Sequence, residues 1–247
     1  MGRNSYINPF PTFRPVWKPT SLSGCVLWLR SDLGVITGSG VSTWADQSGN
    51  GRDLFQATEA SKPSQVLNQI NGHPVIRFDG VDDFMQTSLS YDLGVSIATA
   101  FIVFKSLSWT DGDYLFDGGT SSPWSFRQAF HGTERHNFYW QGVAARIPGG
   151  NGFIIPNNDI AIVSFRIGTP GVSVMVYTNP SDTISASFSF RTPQNITLFT
   201  LGSIRDGGNY SNIDVAEVIV YNSLLLSSEH NTTYNYLGRR YLGYNIY

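Results

Sequence analysis

The sequence predicts an all-β fold, an antiparallel two-sheet β-sandwich preceded by an extended arm and followed by a short helix. More than ten short apolar or alternating segments follow one another, joined by turns rich in Gly, Asn and Ser. No helical segment separates these strands, which excludes a parallel α/β fold. Hydrophobic residues make up 41% of the chain and charged residues only 14%, a composition that suits strands and tight turns around a large core.

An extended arm is predicted at residues 1–22, before a single domain at residues 23–247. Four prolines recur in this first segment, and proline excludes both a helix and a central strand. Aromatic and basic residues stand between the prolines, which is unusual for a disordered tail. The residues expected to fasten the arm to its own domain or to a neighbour are Phe10, Phe13, Arg14 and Trp17.

Most of the domain is predicted to form β-strands. Their apolar residues alternate with polar ones where one face is buried, and run continuously where both faces are buried, as at 99–105. A Gly-Thr-Pro-Gly turn at 168–171 joins two of them as a hairpin. Strands are predicted at residues 25–30, 41–46, 74–78, 84–87, 99–105, 114–116, 124–127, 137–140, 160–166, 172–177, 185–190, 197–201 and 214–221.

One short helix is predicted near the C-terminus. Ser227 or Ser228 is expected to cap its start, and Glu229 lies in the first turn. Arg239 and Arg240 lie near its end, where positive charge suits the helix dipole. The face expected to pack on the sandwich is formed by Tyr234, Leu237 and Tyr241.

Bulk properties exclude several classes of partner. The net charge of −2 gives no reason to expect a nucleic acid. No apolar run of about 18 residues is present, so no membrane span is expected. The first residues lack the apolar centre of a signal peptide, and Cys25 is the only cysteine. We therefore expect assembly inside a cell rather than a disulfide-linked secreted domain.

Three motifs together resemble a known family. They are VLWLRSDL at 26–33 with VSTWADQSGNG at 41–51, NGHPVIRFDGVDDF at 71–84, and VAEVIVYN at 215–222 with the helix that follows. In this order they resemble the concanavalin A-like, laminin-G-like jelly-roll domains found in bacteriophage head and tail proteins and in bacterial surface proteins. The resemblance covers nearly the whole chain and implies a jelly-roll β-sandwich.

The resemblance implies a non-enzymatic virion structural or attachment protein, such as a capsid decoration, head fibre or tail fibre component. On this interpretation the protein is located in the virion after assembly in the host cytoplasm, the arm anchors it to neighbouring capsid or tail subunits, and a homo-oligomer is expected. Two alternatives stay open, a lectin module that binds a carbohydrate or receptor, and a glycoside hydrolase. The fold alone does not decide among them.

No catalytic residues are predicted. Glycoside hydrolysis needs two carboxylates on either side of the scissile bond, and sandwich-fold glucanases place them in a Glu-x-Asp-x-x-Glu pattern. None of the four glutamates begins that pattern, and Glu217, in the last core strand, is expected to be structural. The four are Glu59, Glu134, Glu217 and Glu229.

A carbohydrate site would need aromatic platforms with polar partners beside them. Trp109 and Tyr210 are isolated candidates, whereas the segment from 124 to 141 contains several candidates together. The predicted ligand-binding residues are Trp124, Arg127, Asn137, Tyr139, Trp140 and Gln141.

Calcium is the predicted metal, if one is bound. Three carboxylates lie around a Gly turn at 79–83, and Ca²⁺ prefers such oxygen ligands. The resemblance to laminin-G-like domains also implies Ca²⁺ at a sandwich rim. The predicted ligands are Asp79, Asp82 and Asp214, and the alternative is that the aspartates only form the turn.

Overall fold

The computed structural model describes residues 16–88, 97–108, 110, 112–118, 125–128, 136–140, 143–145, 155–168, 171–177, 183–189, 198–205 and 207–247. From 125 to 145, and on 171–177 and 183–189 apart from Met175, the description is of the backbone. The described strands and α-helix are β1 (Cys25–Arg30), β2 (Val35–Thr37), β3 (Val41–Trp44), β4 (Leu54–Phe55), β5 (Ser64–Ile70), β6 (His73–Asp79), β7 (Met85–Thr87), β8 (Ala98–Ser108), β9 (Tyr114–Asp117), β10 (Ser125–Gln128), β11 (His136–Trp140), β12 (Val143–Ala145), β13 (Ile160–Gly168), β14 (Gly171–Tyr177), β15 (Thr183–Ser189), β16 (Thr200–Leu201), β17 (Asn212–Tyr221) and α1 (Ser227–Tyr241). Single 3-10 turns lie at Pro19–Ser21 and Glu59–Ser61.

These strands form two antiparallel sheets, as the sequence predicts. The eight-stranded sheet has the order β15-β14-β13-β8-β17-β6-β5, with β1 also paired to β17. The nine-stranded sheet has the order β12-β11-β10-β9-β16-β7-β4-β3-β2. The all-β sandwich with one C-terminal helix is therefore confirmed.

The main core lies between the two sheets. Large side chains from both sheets meet there without contact with water, among them Trp44, Phe78, Phe104 and Phe116. Each such side chain contributes about 1.5–3 kcal/mol when it is removed from water. This shared core fixes which face of each sheet is turned outward.

A second apolar cluster lies on the other face of the eight-stranded sheet, under α1. Tyr234, Leu237 and Tyr241 are almost fully buried there, against Phe101 and Ile219. The predicted apolar face of the helix is thus the one that packs. The molecule therefore has three layers: the nine-stranded sheet, the eight-stranded sheet and the helix.

The start of the helix differs from the prediction. Its N-cap position is Leu226, not Ser227 or Ser228, and no side chain of the cap residue bonds to the helix. Instead Glu229 Oε2 accepts the backbone N–H of Leu226 at 2.8 Å. A carboxylate in the first turn therefore stabilises the N-terminus, where the helix dipole favours negative charge.

The carboxylate of Glu217 joins the helix to the sheet. It is buried on β17 and accepts hydrogen bonds from Trp28 Nε1 at 2.6 Å, Tyr236 Oη at 2.9 Å and Tyr241 Oη at 2.7 Å. Arg240 Nε lies 3.8 Å away. Burial raises the pKa of Glu217, and the three donors oppose this rise. Glu217 is thus structural, and it connects β1, β17 and α1.

The loop after β3 is hydrogen-bonded to Trp28, in the middle of β1. Asp46 Oδ1 accepts the backbone N–H groups of Trp28 at 2.9 Å and Ser48 at 2.8 Å. Its Oδ2 accepts the Ser48 hydroxyl at 2.7 Å and the Arg52 N–H at 3.1 Å. One carboxylate therefore satisfies four donors, and the loop forms the tight turn that its Ser, Gly and Asn residues predict.

Part of the predicted arm packs on its own domain. The Trp17 ring lies 5.1 Å from the Tyr236 ring on α1. The Tyr221 hydroxyl donates to the carbonyl oxygen of Pro19 at 3.1 Å, and Pro19 is buried. The other predicted arm contacts, Phe10, Phe13 and Arg14, lie outside the described residues.

Replacing Glu217 with Leu is expected to lower the free energy of unfolding by about 3–5 kcal/mol, because three buried donors and a guanidinium lose their acceptor. The matched control is Asp32→Asn, which removes a half-exposed partner of Arg240 and should cost about 1 kcal/mol or less. Chemical denaturation of both variants measures the difference. Equal losses in the two would contradict the role assigned to Glu217.

Candidate functional site

Four of the six predicted ligand-binding residues lie on strands near one edge of the nine-stranded sheet. Arg127 lies on β10, opposite Asn137 on β11, and Tyr139 and Trp140 follow on β11. The structure describes only the backbone of these four residues, and Trp124 and Gln141 lie outside the described residues. The prediction of a carbohydrate site at 124–141 therefore stays a prediction.

A cluster of carboxylates lies at the end of β6, at the rim of the sandwich. We call Asp79, Asp82 and Asp83 the acidic turn; one oxygen from each lies within 4.8 Å of the others. Asp79 Oδ1 accepts the N–H of Val81 at 2.8 Å, and Asp83 Oδ2 accepts the N–H of Asp79 at 3.0 Å. The side chains thus form the turn and also collect negative charge in one place.

Glycine at position 80 lets this turn approach β17. Its φ of +79° lies in the left-handed region, and a Cβ there would come within 2.9 Å of the Cβ of Asn212. Any side chain at position 80 would therefore push the acidic turn away from the start of β17.

The charge of Asp83 is costly in this position. The residue is 7% exposed, and burial, together with the neighbouring charge of Asp79, raises the pKa of Asp83 to about 6. A carboxyl in this state holds its proton up to about pH 6, and above that pH its charge gains from a nearby cation. Three carboxylate oxygens at this spacing fit a hard cation such as Ca²⁺.

Asp214 does not belong to this cluster, contrary to the predicted ligand set. Its buried carboxylate accepts hydrogen bonds from Arg77 Nε at 2.6 Å and Nη2 at 2.8 Å, and Lys105 Nζ lies 3.5 Å away. Two cations already neutralise it, so it is part of the structural core of the eight-stranded sheet. Asp83 takes its place in the acidic turn. The run Asp-Gly-Val-Asp-Asp at 79–83 contains Asp83 and could have identified it as a ligand from the sequence.

Two aromatic rings lie beside the acidic turn. Phe84 follows Asp83 in the chain, and its ring lies 6.4 Å from that of Tyr210, with both side chains half-buried. Tyr210 belongs to a tight loop before β17, where Ile204 N–H donates to the Gly208 carbonyl at 3.0 Å. We call Phe84 and Tyr210 the aromatic pair. Sequence analysis included Tyr210 among its aromatic candidates but missed Phe84.

A buried Ser–His contact elsewhere is structural. Ser164 Oγ lies 3.1 Å from His230 Nε2, and Tyr234 Oη donates to the same Ser164 Oγ at 3.0 Å. His230 is packed against the Phe101 ring, and burial lowers the pKa of His230 to about 4. The pair lies between α1 and the sheet, where a substrate has no access.

Cys25 is also poorly placed to act as a nucleophile. Its thiol is half-buried at the start of β1, and burial raises the pKa of Cys25 to about 12. The thiolate that reacts as a nucleophile is therefore scarce near neutral pH.

Among the described residues, no helix has the length and apolar character needed to cross a bilayer.

Comparison with known proteins shows similarity of fold without similarity of sequence. No family model matches the chain, and a search of curated proteins found no similar sequence. Domain 4 of AbnA, a GH43 extracellular arabinanase from Geobacillus stearothermophilus solved in complex with arabinotriose, matches with a TM-score of 0.56 and 15% identity. The match covers 83% of this chain and 95% of that domain.

Two larger proteins share the same fold over part of their length. Trypanosoma rangeli sialidase in complex with sialic acid matches with a TM-score of 0.57 and 17% identity, over 89% of this chain and 33% of the sialidase. A mutant GH54 α-L-arabinofuranosidase soaked with 4-nitrophenyl α-L-arabinofuranoside matches with a TM-score of 0.60 and 12% identity, over 86% of this chain and 58% of that one. This chain thus spans about a third of the sialidase and somewhat over half of the arabinofuranosidase.

These neighbours overturn the functional prediction made from the sequence. The expected class was a non-enzymatic virion component, but the three neighbours described above are a sialidase, an arabinanase domain and an arabinofuranosidase. Both the virion role, with its capsid-anchoring arm, and the expectation of no enzymatic function are therefore corrected in favour of the carbohydrate-related alternatives. The β-sandwich itself agrees with these neighbours.

The pH dependence of stability tests the environment of Asp83. Its pKa rises from 3.8 to about 6 on folding, so the wild type should lose stability relative to Asp83→Asn as the pH rises through this interval. Adding Ca²⁺ at about pH 7 should restore it in the wild type only, because the ion binds the charged form. Thermal unfolding of both proteins, with Ca²⁺ and with a chelator, measures this. A Ca²⁺ response equal in both proteins would contradict cation binding at the acidic turn.

Proposed function

We propose that this chain is the oligosaccharide-binding β-sandwich of a glycoside-hydrolase-type protein. The observation that carries the proposal is the match over 95% of a domain solved with arabinotriose bound. The two other neighbours, solved with sialic acid and with an arabinofuranoside, support the same class of ligand. We include in this proposal the resemblance of the sequence to laminin-G-like domains, which implies a Ca²⁺ ion at the rim of the sandwich.

The rim supplies the features that a saccharide site needs. The half-buried rings of Phe84 and Tyr210 offer apolar surface to the C–H face of a sugar ring. Asp82 and Asn209 provide partly exposed or exposed oxygen and amide groups nearby. An ion at the acidic turn would hold these groups in one geometry before the sugar arrives, which lowers the entropy cost of binding.

The charge of the rim favours a neutral ligand. Asp79 is exposed and Asp82 is half-exposed, so an anionic sugar meets carboxylates of the same sign. Of the sugars bound to the structural neighbours, arabinotriose is neutral and sialic acid is an anion. We therefore expect the neutral oligosaccharide to bind better.

Calorimetric titration of the full chain with arabinotriose tests this proposal. Tyr210→Ala should weaken binding about tenfold by removing one ring of the aromatic pair, and sialic acid should bind more weakly than arabinotriose. Tyr247→Ala is the matched control, since this half-exposed tyrosine lies beside Tyr234 on the opposite layer. Absence of binding to arabinotriose and to a panel of other neutral oligosaccharides at millimolar concentration would refute the proposal.

Hydrolysis at the acidic turn is a second candidate function. One oxygen of Asp79 and one of Asp83 lie within 4.8 Å of each other, and retaining glycosidases likewise place two carboxyl groups close together, about 5–5.5 Å apart. The pKa of Asp83, raised to about 6, suits a general acid beside an ionised partner. In this function Asp83 would protonate the leaving oxygen while Asp79 stabilises positive charge at the sugar.

Release of 4-nitrophenol from 4-nitrophenyl α-L-arabinofuranoside measures this second function. Activity should fall as the pH rises above about 6, because Asp83 then loses its proton. Asp83→Asn and Asp79→Asn should each abolish it, whereas Glu59→Gln, at an exposed glutamate paired with Lys62, should not change it. Equal turnover in all four proteins would exclude the acidic turn as a catalytic site.

A further inference from the structure

The hydroxyl group of Tyr210 has no hydrogen-bond partner among the described residues, although the side chain is half-buried at the rim. Tyrosine hydroxyls elsewhere in the described chain donate to acceptors of the protein: Tyr221 to the Pro19 carbonyl, Tyr234 to Ser164, and Tyr236 and Tyr241 to Glu217. Those hydroxyls help to hold the arm and the helix on the sheet. The hydroxyl of Tyr210 has no such structural role.

This hydroxyl is accessible to a ligand. Buried polar atoms without a partner occur in the described chain, such as Trp44 Nε1 and Thr200 Oγ1, but Tyr210 Oη is not one of them. An oxygen that has no partner and is not buried lies in contact with solvent. Its proton and its lone pairs are therefore available to a molecule that binds at the rim.

The backbone at Gly207 determines where the hydroxyl lies. The φ of Gly207 is +86°, in the left-handed region, and a Cβ at this position would lie 2.8 Å from Tyr210 Oη and 3.8 Å from Phe84 Cε1. The same Cβ would be 3.7 Å from Tyr210 Cζ, an ordinary van der Waals distance. Glycine thus lets the hydroxyl lie against the loop backbone, beside the edge of the Phe84 ring.

The chain on both sides of Tyr210 is fixed to the start of β9. The carbonyl oxygen of Asn209 accepts the N–H of Tyr114 at 3.1 Å, and Ser211 Oγ donates to the carbonyl oxygen of Tyr114 at 2.6 Å. The N–H of Ser211 donates to the carbonyl oxygen of Gly202 at 2.8 Å. The loop therefore presents the hydroxyl in a defined place before a ligand arrives, which lowers the entropy cost of binding.

We infer that the Tyr210 hydroxyl selects the saccharides that the rim binds, and that it favours those whose hydroxyl groups are unsubstituted. A sugar ring on the aromatic pair presents its C–H face to the rings and its hydroxyl groups around its edge. One of these hydroxyls exchanges a hydrogen bond with Tyr210 Oη, since both groups donate and accept. This inference rests on the proposed function and specifies the class of ligand for the same site.

An O-methylated sugar is the discriminating ligand. Its ether oxygens cannot donate a hydrogen bond, and each methyl group occupies the space that Tyr210 Oη needs to approach the sugar. A site built to hydrogen-bond a ligand hydroxyl rejects the analogue that lacks it, because the polar group of the site then loses its partner. The apolar contact with the two rings does not make this distinction.

Calorimetric titration of Tyr210→Phe with arabinotriose and with O-methylated arabinotriose tests the inference. This variant keeps the ring and removes only the hydroxyl, so it should bind arabinotriose about fivefold more weakly than the wild type and melt at the same temperature. The methylated sugar should bind the wild type more weakly than arabinotriose does, and should bind Tyr210→Phe as well as the wild type. Tyr247→Phe, on the opposite layer, is the matched control and should bind both sugars like the wild type.

Gly207→Ala tests the position of the hydroxyl separately. In the wild-type background the added methyl group displaces the hydroxyl, so arabinotriose should bind about fivefold more weakly. In the Tyr210→Phe background this contact is absent, and the methyl group should cost little further affinity. The strain of a positive φ is present in both backgrounds, so both melting temperatures should fall by the same amount. Equal losses of affinity in the two backgrounds would contradict the role of Gly207.

The possible outcomes separate this inference from the proposed function. If the wild type binds no saccharide, the proposed function fails and the inference fails with it. If Tyr210→Ala weakens the binding of arabinotriose while Tyr210→Phe binds it like the wild type, the proposed function stands and the inference is wrong. An equal loss of affinity for both sugars in Tyr210→Phe, or a lower melting temperature of this variant, would also overturn the inference.

Discussion

The hydrogen bonds that the buried carboxylate of Glu217 accepts determine how the helix packs on the eight-stranded sheet. β17 is paired to β8, β6 and β1, so this strand lies at the centre of the eight-stranded sheet. One of its two buried carboxylates, that of Glu217, receives donors from β1 and from α1. A carboxylate left without these donors would be too costly to bury, so the helix must pack over this face whenever the sheet forms.

This packing decides where a ligand can bind. Where side chains are described, α1 and its tyrosines cover the outer face of the eight-stranded sheet, and the main core fills the inner faces of both sheets. What remains is the rim and the outer face of the nine-stranded sheet. The acidic turn and the aromatic pair lie at the rim, and the proposed saccharide contacts follow from that.

Local sequence patterns predicted the features that depend on neighbouring residues. The apolar strand 99–105 and the helix face of Tyr234, Leu237 and Tyr241 are examples, since periodicity alone determines which side is buried. By contrast β5, Ser64–Ile70, was not predicted, because this largely exposed edge strand has mostly polar or exposed residues. The N-cap of α1 was misplaced because Glu229 accepts the cap N–H in place of a serine hydroxyl.

The geometry of the site depends on contacts between residues far apart in the chain, and the sequence alone does not reveal these contacts. The sequence predicted Asp214 as a metal ligand, but in the folded protein Arg77 and Lys105 pair with its carboxylate. Asp83 was adjacent to the predicted ligands, but its burial follows from the packing of the turn. Phe84 and Tyr210 come from loops far apart in the chain, and no local pattern marks the two as neighbours.

Mapping arabinotriose binding by amide chemical shifts tests the central claim most directly. The account predicts changes that cluster on the acidic turn at 79–83, on Phe84 and on the loop that carries Tyr210, with the amides of α1 unchanged. Changes confined to α1, or no changes at millimolar sugar, would contradict it.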